Sequence, residues 1–249
     1  MVVPKFHALV PAAGTGTRMG AEVPKQYLEI AGQPLIAYVL SRFGASRDIA
    51  TVTVCLAPGD RRGEAVVEAF QEAFPETVCR VVPGGAERCH SVLNGLVAIA
   101  LEESDQDWVL VHDAARPCLT DADLARLIGA LEHDDVGGIL ATPVRDTLKR
   151  AEAEASNTPA IAATVSREGL WQALTPQMFR VGKLKAALEQ ALAAGSLVTD
   201  EAQAMELAGF RPRLVAGRTD NIKVTLPEDL EFAARTIRNL TGAGLVEGV

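Results

Sequence analysis

The stretch Ala8-Leu9-Val10-Pro11-Ala12-Ala13-Gly14-Thr15-Gly16-Thr17-Arg18-Met19-Gly20 passes from a short apolar run straight into a loop of small residues. An apolar strand that empties into a glycine-rich loop is how a nucleotide-binding α/β sheet opens. Small side chains let backbone N–H groups approach a ligand closely and form a nest for phosphate oxygens. The dinucleotide fingerprint G-x-G-x-x-G fails here, because its third glycine would fall on Met19 and Gly20 comes one residue late. The acidic residue expected about 20 positions on is also missing, since that stretch reads Gln33-Pro34-Leu35-Ile36. A P-loop fails as well, for no G-x-x-x-x-G-K-[ST] occurs. What the loop does carry is Arg18 and, seven residues on, Lys25. Two such cations alone would ordinarily be solvated. Beside a glycine nest they suit a triphosphate whose charge grows in a transition state.

Outward from this loop, short apolar runs alternate with amphipathic stretches. Strands are expected at 8–10, 51–56, 78–82, 108–111 and 138–141, and helices at 34–46, 64–74 and 88–103. Pro34 suits a helix start. Thr120 and Asp123 form a capping pair before Leu124, Leu127, Ile128 and Leu131. The alternation predicts a single Rossmann-like α/β domain spanning 1–249, its twisted sheet mostly parallel with helices on both faces. Residues 144–166 break the rhythm and read as an arm of two strands, near 144–149 and 160–165. A two-stranded arm is unstable alone, so a second subunit is its natural support; a mobile surface insertion is the other reading. Helices follow at 183–194 and 200–208, closed by Gly195 and Gly209. A strand pair is expected at 213–216 and 222–225, and a last helix at 228–240.

Composition narrows the partners. Of 249 residues, 48% are hydrophobic and 22% charged, which excludes a disordered chain. No apolar run approaches the roughly 18 residues of a membrane span, and no export signal is evident, so a cytoplasmic location is expected. With 24 Lys and Arg against 32 Asp and Glu, the net charge of −8 argues against nucleic acid. Any bound anion must be met by a local cluster of cations. Cys55, Cys79, Cys89 and Cys118 form no C-x-x-C pair and read as reduced thiols. His7, His90, His112 and His133 show no H-x-x-x-H spacing and read as structural.

Two more strand ends bear chemistry. Val109-Leu110-Val111-His112-Asp113 puts a carboxylate at the carboxyl edge of a parallel sheet, where it could hold Mg²⁺, with Arg116 placed for a phosphate. Asp113 alone could equally be a cap or turn residue. Gly84-Gly85-Ala86-Glu87-Arg88 is a third strand-end loop, opening a helix that carries Ser91.

P-A-A-G-x-G-x-R-M at 11–19 and P-K-Q-Y at 24–27 resemble the opening of the sugar-phosphate nucleotidyltransferases. V-H-D-A-A-R-P at 111–117, P-V-R-D-T at 143–147, L-T-P-Q at 174–177, T-D-E-A at 199–202 and D-N-I-K-V-T at 220–225 narrow the likeness. Together they resemble the 2-C-methyl-D-erythritol 4-phosphate cytidylyltransferase family, over nearly the whole chain. The resemblance implies transfer of CMP from CTP to a sugar-alcohol phosphate, in a homodimer whose arm completes the neighbour's site. It implies a CTP loop at Ala12, Ala13, Gly14 and Gly16, with transition-state cations at Arg18 and Lys25. Cytosine recognition falls on Gly85 and Ser91, with Ala86 standing where some members have Asp. Mg²⁺ falls on Asp113. The acceptor phosphate falls to Arg116, Thr147, Arg167, Thr175, Thr199 and Lys223, and Arg167 and Lys223 are counted with the catalytic cations. Thr147 and Arg167 would serve the partner's site. A ribitol 5-phosphate cytidylyltransferase, a dinucleotide-dependent oxidoreductase and a non-catalytic nucleotide sensor are the competing readings. The failed fingerprint spacing weighs against the oxidoreductase.

Overall fold

The computed structural model describes residues 4–14, 23–153 and 157–242. Eleven strands are seen there. β1 (Phe6–Pro11), β4 (Ile49–Leu56), β5 (Val78–Pro83), β6 (Trp108–Val111), β7 (Gly137–Pro143), β10 (Trp171–Arg180) and β11 (Arg213–Ala216) form one sheet. β2 (Glu29–Ile30) pairs with β3 (Gln33–Pro34), and β8 (Leu148–Ala151) with β9 (Ile161–Val165). Helices α1 (Leu35–Gly44), α2 (Arg61–Ala73), α3 (Arg88–Glu102), α4 (Asp121–Leu131), α5 (Val181–Ala193), α6 (Glu201–Leu207) and α7 (Pro227–Gly242) complete the chain.

The large sheet runs β11-β7-β10-β6-β1-β4-β5, parallel throughout except that β10 lies antiparallel between β7 and β6. Alternate residues of the central strands serve opposite faces, as the pleat demands. Ala8, Val10, Val52, Val54 and Leu110 join α1, α2 and α4 in one apolar layer. Leu9, Cys55, Val109 and Val111 join α3, α5 and α6 in the other. The expected two-sided burial is therefore present. Local signals act as read: the Thr120 hydroxyl accepts from the Asp123 N–H at 3.2 Å, and Gly195 and Gly209 follow α5 and α6 with φ of 74° and 86°.

Two expectations need correction. Strand β10 is absent from the expected set, because Pro176 interrupts its apolar pattern. In the structure Pro176 falls inside a register shift between Ala173 and Gln177, where a missing N–H breaks no ladder bond. Conversely, residues 222–225 do not form a strand. The Val224 N–H donates to the Ala115 carbonyl at 2.9 Å, so this extended segment is tied to the loop after β6 instead of to a strand.

Strands β8 and β9 pair antiparallel as the expected arm, with Leu148 opposite Val165. Most of the arm is exposed, including Ile161 at 63%, and Leu170 and Trp171 at its root are also open. Among the described residues, no helix is long and apolar enough to cross a membrane.

Candidate active site

The carboxyl ends of β1, β5 and β6 open onto one cleft of about 660 Å³. Ala12, Ala13 and Gly14 enter it from β1, Gly85, Arg88 and Ser91 from the end of β5 and the start of α3, and Asp113 from the end of β6. Lys25 and Gln26 reach it from a single 3-10 turn at Lys25–Tyr27, and Lys223 and Thr225 from the segment before α7. Ligands bind at this edge of open α/β sheets because adjacent loops splay apart there.

The loop after β1 is held from below. Ala12 N–H donates to the Cys55 carbonyl at 2.8 Å, continuing the ladder one residue past β1. The buried Gln26 amide donates to the carbonyls of Ala12 and Gly14, at 2.8 and 2.9 Å. Two oxygens that would repel a phosphate are thereby spent. The facing loop is equally close-fitting: a Cβ on Gly84 would lie 2.1 Å from that of Ala13, and one on Gly85 would lie 2.4 Å from that of His90. Ser91 accepts from the Gly85 N–H at 3.0 Å and donates to the Glu87 carbonyl at 3.3 Å, fixing the turn into α3.

Charge in the cleft converges on Asp113. Its Oδ1 faces Arg88 Nε at 3.0 Å, and its Oδ2 faces Lys223 Nζ at 2.9 Å and Arg116 Nε at 3.5 Å. Burial by itself would raise the Asp113 pKa, but Arg88, Lys223 and Arg116 outweigh it and hold the carboxyl well below the usual range. Burial likewise opposes charge on Arg88, yet Glu201 and Asp113 raise its pKa above the ordinary guanidinium value. For Arg116 burial prevails over Asp113 and the shift is downward.

The Asp113 carboxylate has the chemistry to hold a hard cation. A carboxylate offers about four lone-pair positions, and three are met by side-chain cations, leaving one on Oδ1. Mg²⁺ usually takes one or two carboxylates and completes its shell with water and substrate phosphates.

Of the residues singled out from sequence, Ala12, Ala13, Gly14, Lys25, Gly85, Ser91, Asp113 and Lys223 line this one cleft. Arg116 and Thr175 lie behind Asp113, at 9% and 4% exposure. Arg116 donates to the Asn221 carbonyl at 2.8 Å, and Thr175 Oγ1 accepts from the Asp113 N–H at 3.2 Å. Thr147, Arg167 and Thr199 are exposed and do not line the cleft of this chain. Arg167 donates to the Arg145 carbonyl at the root of the arm. Gly16 and Arg18 lie outside the described residues. Sequence reading passed over Gln26, Arg88, Glu201 and Asn221. All four sat inside quoted stretches, at 24–27, 84–88, 199–202 and 220–225, but nothing local says what such a residue touches.

Comparison with known proteins gives the family and supports the fold. Residues 6–239 match the family model IspD, 2-C-methyl-D-erythritol 4-phosphate cytidylyltransferase. The enzyme of that name from Dechloromonas aromatica is 52% identical over 237 residues, covering 95% of this chain and 99% of the relative. The one from Aeromonas hydrophila is 53% identical over 230 residues, 92% of this chain and 88% of the relative. A crystal structure of a 4-diphosphocytidyl-2C-methyl-D-erythritol synthase superposes with a TM-score of 0.79 at 39% identity, covering 95% of this chain and all of that one. The cytidylyltransferase of Thermus thermophilus superposes at 0.73, with 32% identity and 93% and 98% coverage.

Proposed function

The chain belongs to the 2-C-methyl-D-erythritol 4-phosphate cytidylyltransferase family, and from that premise we propose how its cleft performs the reaction. The enzyme is a nucleotidyltransferase of isoprenoid biosynthesis: it transfers CMP from CTP to 2-C-methyl-D-erythritol 4-phosphate. The products are 4-diphosphocytidyl-2-C-methyl-D-erythritol and pyrophosphate. One observation carries the assignment of roles: three cations converge on a single carboxylate beside a glycine loop, at the carboxyl edge of the sheet.

In this reading the loop at Ala12, Ala13, Gly14 and Gly16 cradles the CTP phosphates, and Gly85 and Ser91 frame the cytosine. Arg18 and Lys25 meet charge that develops on the α-phosphate and the leaving pyrophosphate. Asp113 would hold a divalent cation, Mg²⁺ by the chemistry of a lone carboxylate among phosphates, which supplies further neutralisation there. Lys223 and Arg116 draw the acceptor phosphate in line with the α-phosphorus, against the repulsion of two polyanions. Thr175 supports them from behind, and Thr199 borders the acceptor. No general base is required, because a phosphate monoester is already largely ionised near pH 7. Thr147 and Arg167 serve the partner's site in a homodimer. Their exposure in one chain, with the open apolar side chains Ile161, Leu170 and Trp171, supports that reading.

The whole chain is one nucleotidyltransferase domain with an arm at about 144–166, acting in the cytoplasm. Its four cysteines all stand as free thiols, which suits a reducing compartment. The test is a pyrophosphate-release assay. CTP with methylerythritol phosphate and Mg²⁺ should turn over, ATP and GTP should be poor donors, and ribitol 5-phosphate should be a poor acceptor. EDTA should abolish turnover. Equal rates with ATP would overturn the cytidine assignment, equal rates with ribitol 5-phosphate the acceptor, and full activity in EDTA the metal role of Asp113.

A further inference from the structure

Arg88, the first residue of α3, joins two carboxylates that are remote in sequence. Its Nε faces Asp113 Oδ1 at 3.0 Å, while its two terminal nitrogens donate to the two oxygens of Glu201, at 2.6 and 3.1 Å. Glu201 is 1% exposed. A carboxylate taken that far out of water is costly unless it is paired, and both of its oxygens are met by Arg88.

Glu201 is itself rigidly mounted. It opens α6, where the Asp200 carboxylate accepts from the Gln203 N–H at 2.9 Å and from the Gln177 side chain at 3.0 Å. Gln177 Oε1 in turn accepts from the Ala202 N–H at 2.8 Å, pinning the first turn of α6 to β10. A fixed line of contacts thus runs from the centre of the sheet through Glu201 and Arg88 to Asp113. The two oxygens of Asp113 are not equivalent. Lys223 and Arg116 approach Oδ2, and Arg88 approaches Oδ1. Lys223 is also the cation most exposed to an incoming phosphate, at 37% against 11% for Arg116.

We propose that Arg88 and Glu201 are a positioning pair that aims the Asp113 carboxylate, Glu201 acting only through Arg88. The inference rests on the reading of Asp113 as the metal carboxylate. When phosphate draws Lys223 away from Oδ2, Arg88 still holds Oδ1 and keeps the carboxylate plane from turning. A planar guanidinium is needed because one group must grip Glu201 with two nitrogens and Asp113 with a third; a lysine ammonium offers no such fork.

The experiment titrates Mn²⁺, a paramagnetic stand-in for Mg²⁺, by electron paramagnetic resonance. The protein is the full chain with a CTP analogue bearing a methylene between the α- and β-phosphorus. Asp113→Asn should weaken Mn²⁺ binding strongly. Glu201→Gln and Arg88→Lys should each weaken it about tenfold, as groups that orient metal ligands do, while binding of the analogue without metal stays within twofold. Arg88→Met and the double variant Arg88→Met with Glu201→Gln should share one Mn²⁺ affinity. That equality separates positioning through Arg88 from a structural role for Glu201, and the double variant leaves no unpaired buried carboxylate. If Glu201→Gln does not fold alone, the double variant, in which neither partner is left unpaired, against Arg88→Met carries the comparison. Wild-type affinity in Glu201→Gln or Arg88→Lys, or additive losses in the double variant, would overturn the pair and leave the Asp113 reading standing. Wild-type affinity in Asp113→Asn would overturn both.

Discussion

The Thr175 hydroxyl donates to Nδ1 of His112 across 2.8 Å, and this bond sets the state of a fully buried imidazole beneath the site. The Nε2 of His112 faces the Arg116 carbonyl at 3.0 Å and must therefore carry the proton. The same Thr175 oxygen accepts from the Asp113 N–H. Asn221 ties the frame together, donating to the Thr175 carbonyl at 2.8 Å while its own carbonyl accepts from Arg116. Neutral His112 thus holds Thr175, Asp113 and Arg116 in one register.

A neutral, buried histidine has a pH signature. Burial lowers the His112 pKa from 6.5 to about 4. The unfolded chain takes up a proton below about 6.5 that the folded chain refuses until about 4, so this contribution is full above 6.5 and is lost on acidification across that window. The expected slope reaches about 1.4 kcal/mol per pH unit. Denaturant unfolding of wild type and His112→Gln between pH 7 and 4 should show a flatter curve for the variant. The buried His7, also shifted downward mainly by burial, leaves a residual slope in both. Parallel curves would remove His112 from this role.

Gly84 should tolerate no side chain. An added Cβ would meet the Ala13 Cβ at 2.1 Å and the Ser91 hydroxyl at 3.1 Å. Overpacking of this kind costs about 1–3 kcal/mol, and here it is relieved by parting the two loops assigned to CTP. Gly84→Ala should raise the KM for CTP about tenfold and leave the KM for the acceptor within twofold; ten-fold here is 1.4 kcal/mol, inside that range. An unchanged KM for CTP would show that the contact is not part of the nucleotide site.

Lys25 lines the cleft from a one-turn helix beside the glycine loop. Removal of one preorganised donor at a developing anion costs about 10²–10³ in turnover, roughly 3–4 kcal/mol. Lys25→Ala should therefore lower kcat by that factor with little change in Tm. A large drop in Tm with kcat intact would make the residue structural.

Shared sites can be tested by mixing. Lys25 sits in the body of the chain and Arg167 at the root of the exposed arm. Lys25→Ala and Arg167→Ala should each be nearly inactive. Co-expressed, they should form about half mixed dimers by random pairing, each with one site free of both defects, so about a quarter of all sites should recover. Mixed dimers without recovery would mean that both residues belong to one chain's site.

The sheet, its two apolar layers and the helix limits were legible because they depend on neighbours a few residues apart. Val52 and Val54 alternate in the strand, Leu124, Leu127 and Leu131 share a helix face, and Thr120 caps the turn it precedes. The glycine loop and the strand-end Asp113 were legible for the same reason, since a sheet edge is a local event. Strand β10 was hidden because Pro176 is tolerated only through a bulge of β10 itself, where residues 174–176 stand opposite the single Leu140 of β7. The segment at 222–225 reads as a strand in sequence but is none, because its extended backbone has no ladder and answers to Ala115 instead. Arg88 and Glu201 stand 113 positions apart, with no pattern linking them. Only folding decides that pairing, because a buried charge finds its partner through the packing of α3 against α5 and α6 and not through sequence spacing.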